Sequence, residues 1–170
     1  LVLGGSLGRV EATGRGVMVN ALAAMNKLGI APHSATCAVQ GFGNVGSYAA
    51  LLLKQNGIKI LGISDVSGAS WNDNGIDVED AIRYRDAHKG SLEGYKNAEH
   101  ISNDDVLTSK VDILVPAAKE DVITADNAAK IQAKLIVEGA NGPTSANADA
   151  ILQQKGIIAV PDILANAGGV

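Results

Sequence analysis

The sequence predicts an α/β domain in which a mostly parallel sheet is buried between two helical layers, a three-layer α/β/α arrangement. Three observations carry that reading. Short aliphatic runs without polar alternation recur along the chain, as expected of strands covered on both faces. Amphipathic stretches at helical spacing separate most of these runs, the pattern of βαβ units. The composition fits as well: 46% of the 170 residues are hydrophobic but only 3% are aromatic. The core is therefore Ala, Val, Ile and Leu, and the 20 glycines allow backbone segments to approach closely.

Thr13 to Leu28 is the first helix, with Val17, Ala21, Ala24, Met25 and Leu28 on its apolar stripe and Gly29 as its stop. Ser34 to Gln40 reads as the first strand. Asn44 to Gln55 is helical, with Val45, Ala49 and Leu52 on one face. Lys59 to Ser64 is the second strand. Asp77 caps a helix running to about His88, with Asp80 as a weak capping-box partner. Asp112 to Val115, Leu135 to Glu138 and Ile157 to Val160 complete five strands, and Thr144 opens a helix to about Gln154. The turn-rich stretch Gly68 to Gly75 and the polar stretch Gly90 to His100 are placed at the surface.

Charge and cysteine usage exclude several functions. The net charge is −4 with no basic stripe or arm, so nothing supports nucleic-acid binding. One cysteine, Cys37, allows no disulfide within the chain and fits a reducing, cytoplasmic setting; it reads as a small core residue. No apolar run approaches the ~18 residues of a membrane span, and no signal peptide is visible. The histidines His33, His88 and His100 lack metal-ligand spacing and read as solvated loop residues. Ser6 and Ser47 have no histidine at a recognisable spacing, which speaks against a serine hydrolase. Glu79-Asp80 and Asp104-Asp105 read as solvated or capping carboxylates, and Lys119-Glu120, which follows Ala117-Ala118, as a surface salt bridge with a contact to a bound cofactor as the alternative. Trp71 is either a contact point or a lid over its loop. The chain starts at Leu1 and reads as a piece of a longer protein.

The first motif with chemistry is Gly41-Phe42-Gly43-Asn44-Val45-Gly46. It follows a strand directly and opens a helix, the context that gives a GxGxxG meaning. Gly41 allows a tight turn, Gly43 lets backbone approach a pyrophosphate, and Gly46 lets helix pack on strand. The helix start offers free N–H donors and the positive end of its dipole to phosphate. Asp65 ends the second strand 19 residues after Gly46. A carboxylate there accepts from an adenosine ribose diol and repels a 2′-phosphate, favouring NAD with NADP still possible. A methyltransferase binding S-adenosylmethionine is the physical competitor, and Asp65 as a mere turn cap the structural one.

Three further segments carry a resemblance: Gly5 to Gly16 (GSLGRVEATGRG), Val137 to Thr144 (VEGANGPT) and Pro161 to Gly169 (PDILANAGG). Together with the Gln40 to Gly46 loop, they closely resemble the cofactor domain of glutamate dehydrogenases, in the glutamate, leucine, phenylalanine and valine dehydrogenase family. The resemblance runs from about Gly4 to Val170, and Glu138 to Pro143 looks like the glutamate branch. It implies a Rossmann-like, doubly wound domain over residues 1–170 that binds NAD(P). It also implies a full-length, homo-oligomeric enzyme that converts L-glutamate reversibly to 2-oxoglutarate and ammonia. By the same resemblance, Thr13 and Asn166 hold the nicotinamide carboxamide and Asn141 contacts the adjoining ribose. Ala117 and Ala118 line the groove, and Gln40, Phe42, Asn44 and Val45 belong to the pyrophosphate loop. The family's catalytic lysine and aspartate belong to a substrate domain that precedes this segment, so no catalytic residue is expected here. The alternatives are a non-catalytic nucleotide-binding module, or the cofactor domain of a leucine, phenylalanine or valine dehydrogenase.

Overall fold

A computed structural model describes residues 8–170; Ser6 and the first part of the Gly5 to Gly16 segment lie outside the described residues. The chain runs α1 (Ala12–Leu28), β1 (Thr36–Gln40), α2 (Asn44–Gln55), β2 (Lys59–Asp65), β3 (Gly68–Trp71) and α3 (Val78–Ala87). It continues through β4 (Glu99–Ile101), α4 (Asn103–Thr108), β5 (Ile113–Pro116), α5 (Ala125–Ala128), β6 (Leu135–Val137), α6 (Ala146–Gln154), β7 (Ile158–Val160) and α7 (Asp162–Ala165). One seven-stranded sheet has the order β4-β3-β2-β1-β5-β6-β7. The five strands from β2 to β7 across that order are parallel. Strands β3 and β4 add an antiparallel edge.

Alternate residues of the central strands enter two separate cores, and this makes the three layers. Ile113 and Val115 of β5 pack with Leu135 and Val137 of β6 on the side of α1, α2 and α3, where Val17, Met25 and Leu53 are buried. Leu114 and Ile136 face the other way, towards Val106, Ile131 and Leu152 of the α4 to α6 side. Each fully buried Leu or Ile contributes roughly 1.5–3 kcal/mol, so both faces of these strands must be aliphatic. Cys37 lies in β1 and is fully buried, as expected, and burial pushes its thiol pKa up.

Several boundaries differ from the sequence expectation, each for a local reason. The first strand starts at Thr36 because Pro32–Ser34 form a 3-10 turn instead. The third expected strand is displaced by one residue, to Ile113–Pro116. Ser145, not Thr144, caps α6, its hydroxyl accepting from the Ala148 N–H at 3.3 Å. Asp77 does cap α3, but the carboxylate of Asp80 does not return the bond; it accepts from Arg83, Tyr95 and Asn97. Leu28 leaves the α1 core stripe and is 38% exposed, whereas Met25 is buried.

The largest correction concerns the segment placed at the surface. Gly68–Trp71 is a paired strand with Ala69 and Ser70 buried, and Glu99 and His100 belong to its neighbour β4. Trp71 is half-buried. Its ring lies on β2 where Gly62 has no side chain, since a Cβ there would sit 2.7 Å from Cε3. The indole N–H donates to Asp73 at 2.7 Å.

Candidate functional site

The carboxyl ends of the parallel strands open onto one groove, where ligands of doubly wound sheets bind. Its floor is the turn between β1 and α2. Gly41 has φ +95°, and a Cβ on it would lie 2.6 Å from the Ala118 backbone nitrogen. A Cβ on Gly46 would overlap the Gly41 carbonyl oxygen. The close approaches expected of these two glycines are therefore present. Gly43 differs, because nothing lies within 4 Å of where its Cβ would be. That empty volume faces the start of α2, whose first N–H groups have no intrahelical acceptor and whose first turn carries no acidic side chain.

Two cavities make up the groove and meet at Ala117, Ala118 and Lys119. One, of about 590 Å³, is lined by Arg9, Thr13, Val45, Asn141 and Asn166 among others. The other, of about 600 Å³, is lined by Gln40, Gly41, Phe42, Gly43, Asp65 and Asn103 among others. Every site residue expected from the sequence lines one of them except Asn44 and Gly46. Gly46 is buried beneath the loop, and the Asn44 side chain donates to the Val10 carbonyl at 2.9 Å. Asn166 comes directly after α7 rather than after a strand, and its Nδ2 donates to Asn141 Oδ1 at 2.7 Å.

Asp65 is engaged by its own surroundings. Oδ1 accepts from the Ser67 N–H at 2.7 Å, and Oδ2 from the Leu92 N–H at 2.6 Å. The turn-cap reading of this residue is thus realised, and the carboxylate also lines the groove. Gln40 and Asn103 also line this cavity, and one oxygen of each, Gln40 Oε1 and Asn103 Oδ1, is buried without a donor. Asn103 also donates to the Asp65 carbonyl at 3.0 Å.

Two residues of the site were missed or misread from sequence. Arg85 of α3 reaches the glycine loop, its Nη1 donating to the Phe42 carbonyl at 3.1 Å and the Gly43 carbonyl at 3.3 Å. Its guanidinium lies 5.7 Å from the centroid of the buried Phe42 ring, within cation–π range. No local pattern joins positions 42 residues apart, so sequence spacing holds no signal for it. Lys119 was expected in a surface salt bridge with Glu120, with a cofactor contact as the alternative. Among the described residues neither forms an ion pair within 4.0 Å, and Lys119 instead lines both cavities. The three histidines are exposed, and no group of described residues could hold a metal ion.

Fold and groove together define a doubly wound α/β domain with one composite cleft at its strand ends. The model of the glutamate/leucine/phenylalanine/valine dehydrogenase family matches residues 4–170, and the chain belongs to that family. It is 58% identical to the glutamate dehydrogenase of Thermotoga maritima over 169 residues, 99% of this chain and 40% of that protein. It is 49% identical to the NADP-specific glutamate dehydrogenase of Saccharolobus shibatae, again over 99% of this chain and 40% of the relative. Among solved structures, the hetero-hexameric glutamate dehydrogenase from Thermus thermophilus superposes with a TM-score of 0.90 at 32% identity. That match covers 99% of this chain and 39% of the other. The chain thus spans about two fifths of the length of its relatives.

Proposed function

We propose that the groove holds NAD(P), with NAD favoured, and that the chain is the cofactor-binding domain of a longer glutamate dehydrogenase. The single observation that carries this reading is the pair of cavities joined over the start of α2, with the empty volume at Gly43 between the loop and solvent. A pyrophosphate fits that place, because backbone N–H groups and the helix dipole favour an anion there.

In this reading Asp65 and the Gly41 to Val45 loop hold the adenosine diphosphate half. Lys119, at the junction of the cavities, offsets phosphate charge. Asn141 contacts the second ribose, and Thr13 and Asn166 orient the nicotinamide carboxamide. When bound, NAD(P) would supply the hydride acceptor for oxidation of the L-glutamate amine to an imine, with a proton released, and water would then convert the imine to 2-oxoglutarate and ammonia. This chain's own residues fix which face and position of the ring is presented, and orientation of that kind supplies much of a hydride-transfer rate. In this reading the acid and base come from the substrate domain of the longer protein.

The test is a calorimetric titration of the 170-residue chain with NADH and with NADPH. Saturable NADH binding at one site, tighter than NADPH, is expected. NADPH binding as tightly as NADH would overturn the role given to Asp65, and binding of neither would overturn the cofactor reading of the chain.

A further inference from the structure

Glu138 is a carboxylate buried at the heart of the domain, only 7% exposed, and among the described residues it has no cationic partner. Burying a charge without a counter-ion is costly unless hydrogen bonds compensate. Its Oε2 accepts from the backbone N–H of Asp162 at 2.9 Å. Asp162 then extends the connection in both directions. Its Oδ2 accepts from the Gly142 N–H at 2.8 Å, and its carbonyl accepts from the Asn166 N–H at 2.8 Å. The Asn166 side chain closes the circuit on Asn141 at 2.7 Å. Two segments more than 20 residues apart in sequence are thereby tied together at both ends, and each carries one asparagine that lines the same cavity.

We infer that Glu138 and Asp162 are positioning residues that set the spacing of Asn141 and Asn166 for the nicotinamide half of the cofactor. The inference rests on the cofactor reading of the groove. Neither carboxylate lines the cavity, so neither touches the ligand; both act through the two asparagines. The glycine loop and Asp65 lie across the junction at Ala117 and share no hydrogen bond with this circuit. Loss of the circuit therefore selectively weakens one half of the site. A simply structural role would weaken both.

The experiment is titration of the chain with NADH and separately with ADP, following the fluorescence of the reduced nicotinamide as well as heat. Loss of one acceptor from a buried N–H corresponds to about tenfold in affinity. Glu138→Ala is expected to weaken NADH about tenfold, leave ADP within about twofold, and diminish the fluorescence change of bound NADH. Glu138→Gln keeps an acceptor oxygen and is expected to restore NADH to within about threefold of wild type. Should Glu138→Ala fail to fold, the half-buried Asp162 offers the second variant: Asp162→Ala is expected to show the same split and Asp162→Asn to rescue it. Equal loss of NADH and ADP in these variants, or no loss of NADH, overturns the inference while leaving the cofactor reading intact. A wild-type chain that binds neither ligand overturns both.

Discussion

The two halves of the groove are built in opposite ways. The half holding Asp65 is built around one contiguous unit, β1 to β2, which supplies Gln40 to Gly43 and Asp65, with Asn103 and Ala117 to Lys119 closing it. The half holding Thr13, Asn141 and Asn166 gathers side chains from α1, from the loop after β6 and from the end of α7. The first is centred on its own strand–turn–helix and is closed from outside by hydrogen bonds from Arg85, Leu92 and Asn103. The second depends on long-range hydrogen bonds, those of Glu138 and Asp162 foremost. A dinucleotide has the same asymmetry, a common adenosine diphosphate grip and a reacting end that demands accurate orientation. The chain invests close packing in the first and a side-chain circuit in the second.

Substitutions at two glycines of one loop separate folding from binding. Gly46→Val forces a side chain into the Gly41 backbone carbonyl, and overpacking of this kind costs about 3 kcal/mol. Thermal unfolding is expected to shift down by about 10 °C, with both halves of the groove impaired. At Gly43 an added Cβ has nothing within 4 Å, so Gly43→Val leaves the packing intact. Its melting temperature is expected to stay within about 2 °C of wild type, while NADH affinity falls by about 30-fold because the added methyls fill the anion position. A Gly43→Val chain that binds NADH normally would detach the loop from the site.

A smaller effect is expected at Asp65. Asp65→Ser removes the charge that repels a 2′-phosphate and loosens the contacts to Ser67 and Leu92. The ratio of NADH to NADPH affinity is expected to fall about tenfold, roughly the 1.4 kcal/mol of one lost charge-assisted bond, as read by paired titrations.

The smallest effect lies at the opposite end of the sheet and serves as the contrast. Burial alone would raise the pKa of Asp112, but its bonds to Lys134 and to the backbone and hydroxyl of Thr36 outweigh burial and hold it below the usual value. A depressed carboxylate stabilises the fold above the unfolded-state pKa, about 3.9, and the benefit disappears as pH falls through the lower folded value. Because Lys134 is well exposed, the gain is about 1 kcal/mol or less. Asp112→Asn is expected to melt slightly below wild type at pH 7 and to lose that difference progressively as pH falls below the unfolded-state value, with NADH affinity unchanged.

The asymmetry also explains what could be read in advance. Strands β1, β5 and β6 are buried on both faces, so their aliphatic runs are visible, and the glycine loop between β1 and α2 is local in sequence. The antiparallel pair β3 and β4 hid because four residues with a glycine and a serine, and three with Glu99 and His100, resemble a turn-rich surface. Only the empty site at Gly62, which receives Trp71, reveals that this edge is packed. The groove residues were found by motif and resemblance. The circuit through Glu138 and the reach of Arg85 were not, because each joins positions whose proximity exists only after folding.

The central claim is that one ligand spans both cavities. The most direct measurement is the backbone amide spectrum of the isotope-labelled chain during NADH titration. The account predicts shifts at Gly41 to Val45 and Asp65 together with Thr13, Asn141 and Asn166, meeting at Ala117 and Ala118, and quiet resonances at Gly29, Gln132 and Gly156 around the cavity at the far end of the sheet. Shifts confined to that far cavity, or to a single half of the groove, would contradict it.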